Sequence, residues 1–344
     1  MLSQKKYPIG SPGGMISLPK LVSPGETADS IQEKCARLKS RLLAVMGCAP
    51  SEIPLIWNTV STQTLEGIQA DTIAIQSYGG DWLRALLLRP REASDAKLPA
   101  VLALHPTDPL YSRALVERRV SSDEDYPYAL ELAQAGFFVL APDIFTSAHY
   151  PEAKSIEDAY RTDRLSEQFP GWSAVGRMYA DHRLALTLLC SLPHVDENRV
   201  GVIGHSLGGT NALVLTALDE RIRASALSCC FTSFCCHPNI RVWCRNKGFC
   251  YFPALRETID QGYVPFEWYE LLAAAAPRPC FIHQTKNDIW FQRWDSTQLG
   301  VDRARAVYGL YNAEDRLHLH LWEGPHSFLR PARQEVCTFL KSVL

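Results

Sequence analysis

The segment GVIGHSLGGT, residues 201–210, constrains this 344-residue chain more than any other. VGVI (200–203) reads as a strand and NALVLTAL (211–218) as a helix, with a serine between two glycines at the junction. A strand that passes into a helix across so few residues must turn sharply. The residues two before and two after the serine crowd the backbone there, and only glycine fits comfortably. Such a strained turn aims Ser206 Oγ outward over the sheet. The helix then starts at Leu207, where the first N–H groups have no partner within the helix. The Leu207 N–H can therefore bind a developing oxyanion, helped by the positive end of the helix dipole. The competing reading is a Gly/Ser turn that only joins strand to helix.

A serine hydroxyl is a weak nucleophile unless a base takes its proton and a third group orients that base. The turn therefore demands an acid and a histidine further along, each just past a strand. HQTKNDIWF places Asp288 shortly after an apolar run at 278–284, and WEGPHSF places His326 shortly after one at 316–322. The order Ser206, Asp288, His326 is the one this architecture uses. Asp295 and Asp302 are rivals that fall on or at the start of a helical run. His318 and His320 alternate on a strand, and His205 is badly placed to serve its own neighbour. The second oxyanion donor should come from the loop after LPAVLALHP (98–106). Pro106 has no N–H, which leaves Thr107, with Asp108 as the alternative.

The rest of the chain supports a scaffold for such a turn. DTIAIQS (71–77) and DWLRALLLRP (81–90) flank a Gly-Gly at 79–80 and read as a hairpin. Strands are then expected at 98–106, 137–145, 198–205, 222–231, 278–284 and 316–322, eight in all. Helical patterns fall at 126–136, 175–192, 207–219, 295–311 and 332–344. This alternation predicts an α/β fold with a mostly parallel eight-stranded sheet flanked by helices, the antiparallel hairpin lying at one edge. Residues 1–25 are rich in Gly, Pro and Ser and read as an irregular arm; Thr27–Met46 is helical, with Gly47 as its stop. The division expected is an arm and helix over 1–65 and a catalytic domain over 66–344. Within the latter, 232–272 is a lid-like segment rich in Cys, aromatics and Pro.

Composition narrows the partners. The net charge of −2 and the lack of any long basic run argue against nucleic acid or an anionic membrane surface. No apolar stretch approaches the roughly 20 residues of a membrane helix, and the N-terminus has no apolar signal core; the expected place is the cytoplasm. Eleven cysteines, seven of them between 229 and 280, raise the question of a metal site. Adjacent pairs such as Cys229-Cys230 and Cys235-Cys236 lack the C-x₂-C rhythm of structural zinc, so these thiols read as small buried apolar residues. No metal or cofactor is expected.

The residues RVGVIGHSLGG, APDIF, APRP, Asp288 and GPHSF together resemble the α/β-hydrolase superfamily, in particular its dienelactone hydrolase and acetyl xylan esterase-like branch. The resemblance covers about residues 70–344. It implies an eight-strand sheet, Ser206 as nucleophile, Asp288 as acid and His326 as base. Two departures stand out. The chain has His105-Pro106-Thr107 where many relatives carry His-Gly, and serine where dienelactone hydrolases proper use cysteine. The N-terminal 65 residues lie outside the likeness, and their helix packs either on the core or on a second copy in a homodimer.

The expected substrate is a small carboxylic ester. His105, His205, Trp290 and Phe291 are candidate substrate-binding residues. With Trp243, Phe249, Tyr251, Phe252 and Trp268 they suggest an aromatic-walled pocket, against the alternative that these rings only pack the lid. A peptidase or amidase is a second reading, weakened by the absence of an N-terminal propeller. A binding protein or a lyase on the same fold is a third; a receptor has no need for Ser, Asp and His together.

Overall fold

The computed structural model describes residues 6–11, 16, 18–48, 50–90, 97–116 and 126–344. The parts of the N-terminal arm at 1–5, 12–15 and 17 lie outside them. Two compact units emerge, drawn differently from a division at residue 65. The first is built from 1–49, 161–177 and 229–326, the second from 50–160, 178–228 and 327–344.

The second unit carries seven strands. They are β1 (Trp57–Leu65), β2 (Ile68–Gln76), β3 (Trp82–Pro90), β4 (Leu98–Leu104), β5 (Phe138–Pro142), β6 (Val195–His205) and β7 (Ala224–Ser228). Their order is β7-β6-β4-β5-β3-β2-β1. β4 pairs in parallel with β5 and β6, and β6 with β7, whereas β1, β2 and β3 run antiparallel. The interior of β4 and β5 is apolar on both faces, as a parallel strand covered by helices must be. Eight of these segments were legible as strands, counting the two in the first unit; β1 is the ninth. It folds back onto β2 through a two-residue turn in which Glu66 (φ 45°) and Gly67 (φ 84°) are both left-handed. All of it but Leu65 is exposed, so it carries no alternation of apolar and polar residues to read.

Helices pad this sheet. The helix α2 (Tyr128–Gln134) packs on β3 and β5, α4 (Leu207–Leu218) on β6 and β7, and α7 (Arg330–Val343) on β7. Between α2 and α4 in the chain runs α3 (Ala174–Ser191). Arg333 of α7 holds Glu131 of α2 with two hydrogen bonds of 2.8 and 3.0 Å.

The first unit contains α1 (Ala28–Met46), α5 (Trp268–Ala274), α6 (Trp294–Gly309) and the parallel pair β8 (Cys280–Thr285) and β9 (Leu317–Trp322). Gly47 ends α1 at φ 63°, as the sequence suggests, and Thr27, read there as the first helical residue, is its N-cap. This helix packs on its own chain: Arg41 donates to both carboxylate oxygens of Glu270 on α5, at 3.2 and 3.3 Å. The arm joins the same unit, with Tyr7–Pro8 pairing antiparallel to Tyr263–Val264. Among the described residues no helix is long and apolar enough to cross a membrane.

The segment 232–272 is less irregular than its sequence suggests. It holds two 3-10 turns, a short helix at Leu255–Asp260 and the start of α5. Its rings turn towards one another. Phe234 lies 5.2 Å from Trp268 and 5.7 Å from Trp243, and Phe252, Phe266 and Trp268 are fully buried. These aromatics form a core of their own, which is the packing alternative weighed above.

Glu267 anchors this core. Its carboxylate accepts the N–H groups of Phe234 (3.0 Å) and Cys235 (2.9 Å). Burial pushes its carboxyl up to about 8, against the pull of those two donors. Cys236 and Glu270 face it and add to the rise. Its folded-state pKa lies above the unfolded value, so between about 4.5 and 8 the folded chain holds a proton that the unfolded chain has lost. Stability should therefore fall as pH rises through that window. Thermal melts of wild type and Glu267→Gln from pH 5 to 8.5 check this, and the fall should be markedly smaller in the variant.

Candidate active site

β6 ends at His205 and α4 begins at Leu207, leaving Ser206 alone in the turn with φ 55° and ψ −120°. A non-glycine residue with positive φ is uncommon, and here it is held by the Ser206 N–H donating to Ser228 O of β7 at 2.8 Å. The two glycines are needed for space. A Cβ on Gly204 would stand 2.2 Å from the carbonyl of Gly208, and one on Gly208 would stand 1.9 Å from Leu104 O. The elbow is thus pressed against the end of β4, whose Leu104 carbonyl also accepts from Tyr128 Oη.

In the first unit, Asp288 follows β8 by three residues and His326 follows β9 by four. His326 Nδ1 lies 2.7 Å from Asp288 Oδ2. The other carboxylate oxygen, Oδ1, accepts the backbone N–H groups of Trp290 and Phe291, both at 2.8 Å. Those donors fix the carboxylate so that one oxygen is left for the imidazole. The Phe291 ring lies 5.7 Å from that of His326 and helps set its plane. The rivals are occupied elsewhere: Asp295 is held by Arg293 at 2.9 Å and Asp302 by Arg305 at 2.7 Å. His318 stacks on Phe281, and the His320 ring lies tilted against it at 4.6 Å.

A third donor-bearing side chain completes this cluster, one that reads in the sequence only as a small buried apolar residue. Cys229 is buried, with φ 43°, and its N–H donates to His283 O at 2.8 Å. Its thiol, Asp288 and His326 offer donor atoms within 4.8 Å of one another.

Leu207 is the first residue of α4, so its N–H has no acceptor within the helix. Of the two candidates for the second oxyanion donor, the Asp108 N–H already donates to Tyr160 Oη at 3.1 Å. Thr107 is exposed. The expected substrate-binding residues separate. Trp290 is 60% exposed, whereas Phe291 is buried beside His326. His105 and His205 are buried. His105 Nδ1 lies 2.7 Å from Pro106 O, and burial holds its pKa below the ordinary value. His205 Nδ1 lies 2.9 Å from Ser228 Oγ, with its ring between Tyr126 and Phe328.

Sequence reasoning missed a cavity of about 630 Å³ in the second unit, lined in part by Leu110, Tyr111, Arg84, Arg113 and Lys154. It opens beside the loop that carries Thr107. Tyr111 sits there with φ 51°, a strained value for a bulky residue, and stacks on Tyr160. The signal was weak because these residues come from separate strands and loops. Eight of the eleven cysteines are buried, in keeping with their reading as small apolar side chains.

A serine on a strained turn between a parallel strand and a helix, in an α/β sheet with an antiparallel edge, defines the α/β-hydrolase fold. The dienelactone hydrolase family matches residues 124–228, which include the elbow. YtaP of Bacillus subtilis (strain 168), named a putative hydrolase, is 26% identical over 248 residues, 71% of this chain and 78% of that protein. Among solved structures, a glucuronoyl esterase from Solibacter usitatus superposes with a TM-score of 0.76 at 17% identity, over 96% of this chain and 98% of that one. A promiscuous CE15 esterase from a marine bacterial metagenome gives 0.71 at 14% identity, over 99% and 98%. At such identities the likeness is one of fold.

Proposed function

We propose that this protein is a serine hydrolase that cleaves a small carboxylic ester through an acyl-enzyme on Ser206. The observation that carries this reading is the Asp288–His326 pair at 2.7 Å, with Asp288 Oδ1 saturated by two backbone N–H groups. A carboxylate locked in this way keeps the imidazole proton on Nδ1, which leaves Nε2 as the base. His326 Nε2 takes the Ser206 proton as Oγ attacks the carbonyl, and Asp288 stabilises the imidazolium. The Leu207 and Thr107 N–H groups hold the oxyanion. His326 then protonates the leaving alcohol, and the same base activates water to release the acid. No metal or cofactor takes part in this reaction. The esterase names among the structural neighbours and the family match at 124–228 support the ester as substrate class.

The test is labelling with a fluorophosphonate probe. Wild type should label and Ser206→Ala should not; equal labelling of both sinks the assignment. Matched p-nitrophenyl esters and anilides then separate an esterase from an amidase. A further expectation concerns the acid. Asp288→Asn presents an amide to Nδ1 and favours the wrong tautomer, so kcat should fall by about 10⁴-fold with little change in KM. A loss of less than tenfold in a kinetic assay would remove Asp288 from the relay.

A further inference from the structure

We infer that Cys229, Asp288 and His326 form a site for a thiophilic divalent cation such as Zn²⁺, whose occupancy switches the proposed hydrolase off. The inhibitory half of this inference rests on the function proposed above; the binding half does not.

Three different donor types converge at one point: a thiol sulfur, a carboxylate oxygen and a ring nitrogen, all within 4.8 Å of one another. Sulfur, nitrogen and oxygen ligands at about 2.0–2.3 Å from tetrahedral zinc stand roughly 3.3–3.7 Å apart. The cluster therefore needs only small inward shifts of the thiol. It also needs an opening of the Asp288–His326 pair from 2.7 Å, which insertion of a cation supplies. The thiol is steered into place. Its backbone adopts φ 43° and is pinned through the Cys229 N–H to His283 O at 2.8 Å, while Sγ lies 3.5 Å from Thr285 Oγ1 and 3.8 Å from His283 Nδ1. Cys229 and Asp288 are buried and His326 is partly exposed, so the histidine side offers the route in. A thiolate with an imidazole and a carboxylate selects zinc-like ions over magnesium or calcium, which prefer all-oxygen shells.

Proton bookkeeping gives the consequence. The cation takes the place of the proton shared between His326 Nδ1 and Asp288 Oδ2, and the Cys229 thiol releases its own proton to solvent. The proton displaced from Nδ1 passes through solvent to Nε2, so the ring stays neutral with its one proton on that nitrogen. That nitrogen no longer has a lone pair for the Ser206 proton, so hydrolysis stops while the fold is unchanged. Removal of the cation by a chelator reverses every step.

Two readouts test this on the full chain. Addition of Cd²⁺ to wild type should produce a thiolate-to-cadmium charge-transfer band, at one equivalent, that is missing from the difference spectrum of Cys229→Ala. Cys229→Ser, which keeps the size of the side chain, should behave as the alanine variant does. On an ester, Zn²⁺ should inhibit wild type reversibly with EDTA, and the half-inhibiting concentration should rise at least about tenfold in either variant. The same band in wild type and both variants overturns the site, as does half-inhibition unchanged by the substitutions. A wild type that binds Cd²⁺ through Cys229 yet hydrolyses no ester would keep the site and reject the hydrolase.

Discussion

Ser206→Ala is expected to lower kcat/KM on any ester the protein accepts by about 10⁴-fold or more, while its melting temperature stays within a few degrees of wild type. The two halves of that expectation have separate causes. Activity falls because no other hydroxyl stands at the start of α4 on the strained turn. Stability hardly moves because alanine meets the same steric cost at φ 55° as serine, and the bond from residue 206 N–H to Ser228 O is a backbone bond that survives the change. Steady-state kinetics with a p-nitrophenyl ester, together with a melt of the same sample, decides it. Retention of activity within tenfold would mean that another group is the nucleophile.

Gly208→Ala should do the reverse and damage the fold first. Its Cβ would stand 1.9 Å from Leu104 O and 2.7 Å from His105 O, backbone atoms at the end of β4 and just past it that cannot swing aside as a side chain would. Forcing that contact costs about 3 kcal/mol, the upper end of overpacking. For a domain of this size the melting temperature should then drop by roughly 6–12 °C. Calorimetry on the purified variant checks it; a drop below 2 °C would show that α4 can lift off β4 without penalty. Activity should fall as well, since the same movement displaces the Leu207 N–H.

The candidate site was legible in unequal parts. The turn at Ser206 could be read because it is local structure: strand, tight turn and helix follow one another within 20 residues. Asp288 and His326 could be read because each follows an apolar run that the structure confirms as β8 and β9. The N–H groups of Trp290 and Phe291 on Asp288 Oδ1 were not legible, because a loop's path is set by what surrounds it. The two aromatic side chains drew attention as pocket walls, while the backbone amides of those same residues are what hold the Asp288 carboxylate. Cys229 escaped for a related reason. Its place beside His326 depends on β8, which lies about 50 residues further along the chain. β1 escaped because an exposed strand has no buried face, and periodicity reports only a difference between faces.

By itself, then, the sequence determined the alternation of strands and helices, the hairpin at 79–80, the span and stop of α1, and the serine elbow. All of these are governed by residues near one another in the chain, through period, turn chemistry and steric fit. The tertiary structure alone decided that the aromatics of 232–272 face one another, that His105 and His205 are buried, and that a thiol lies close to Asp288 and His326. Those outcomes depend on which distant segments are neighbours, and no local pattern of side chains encodes that.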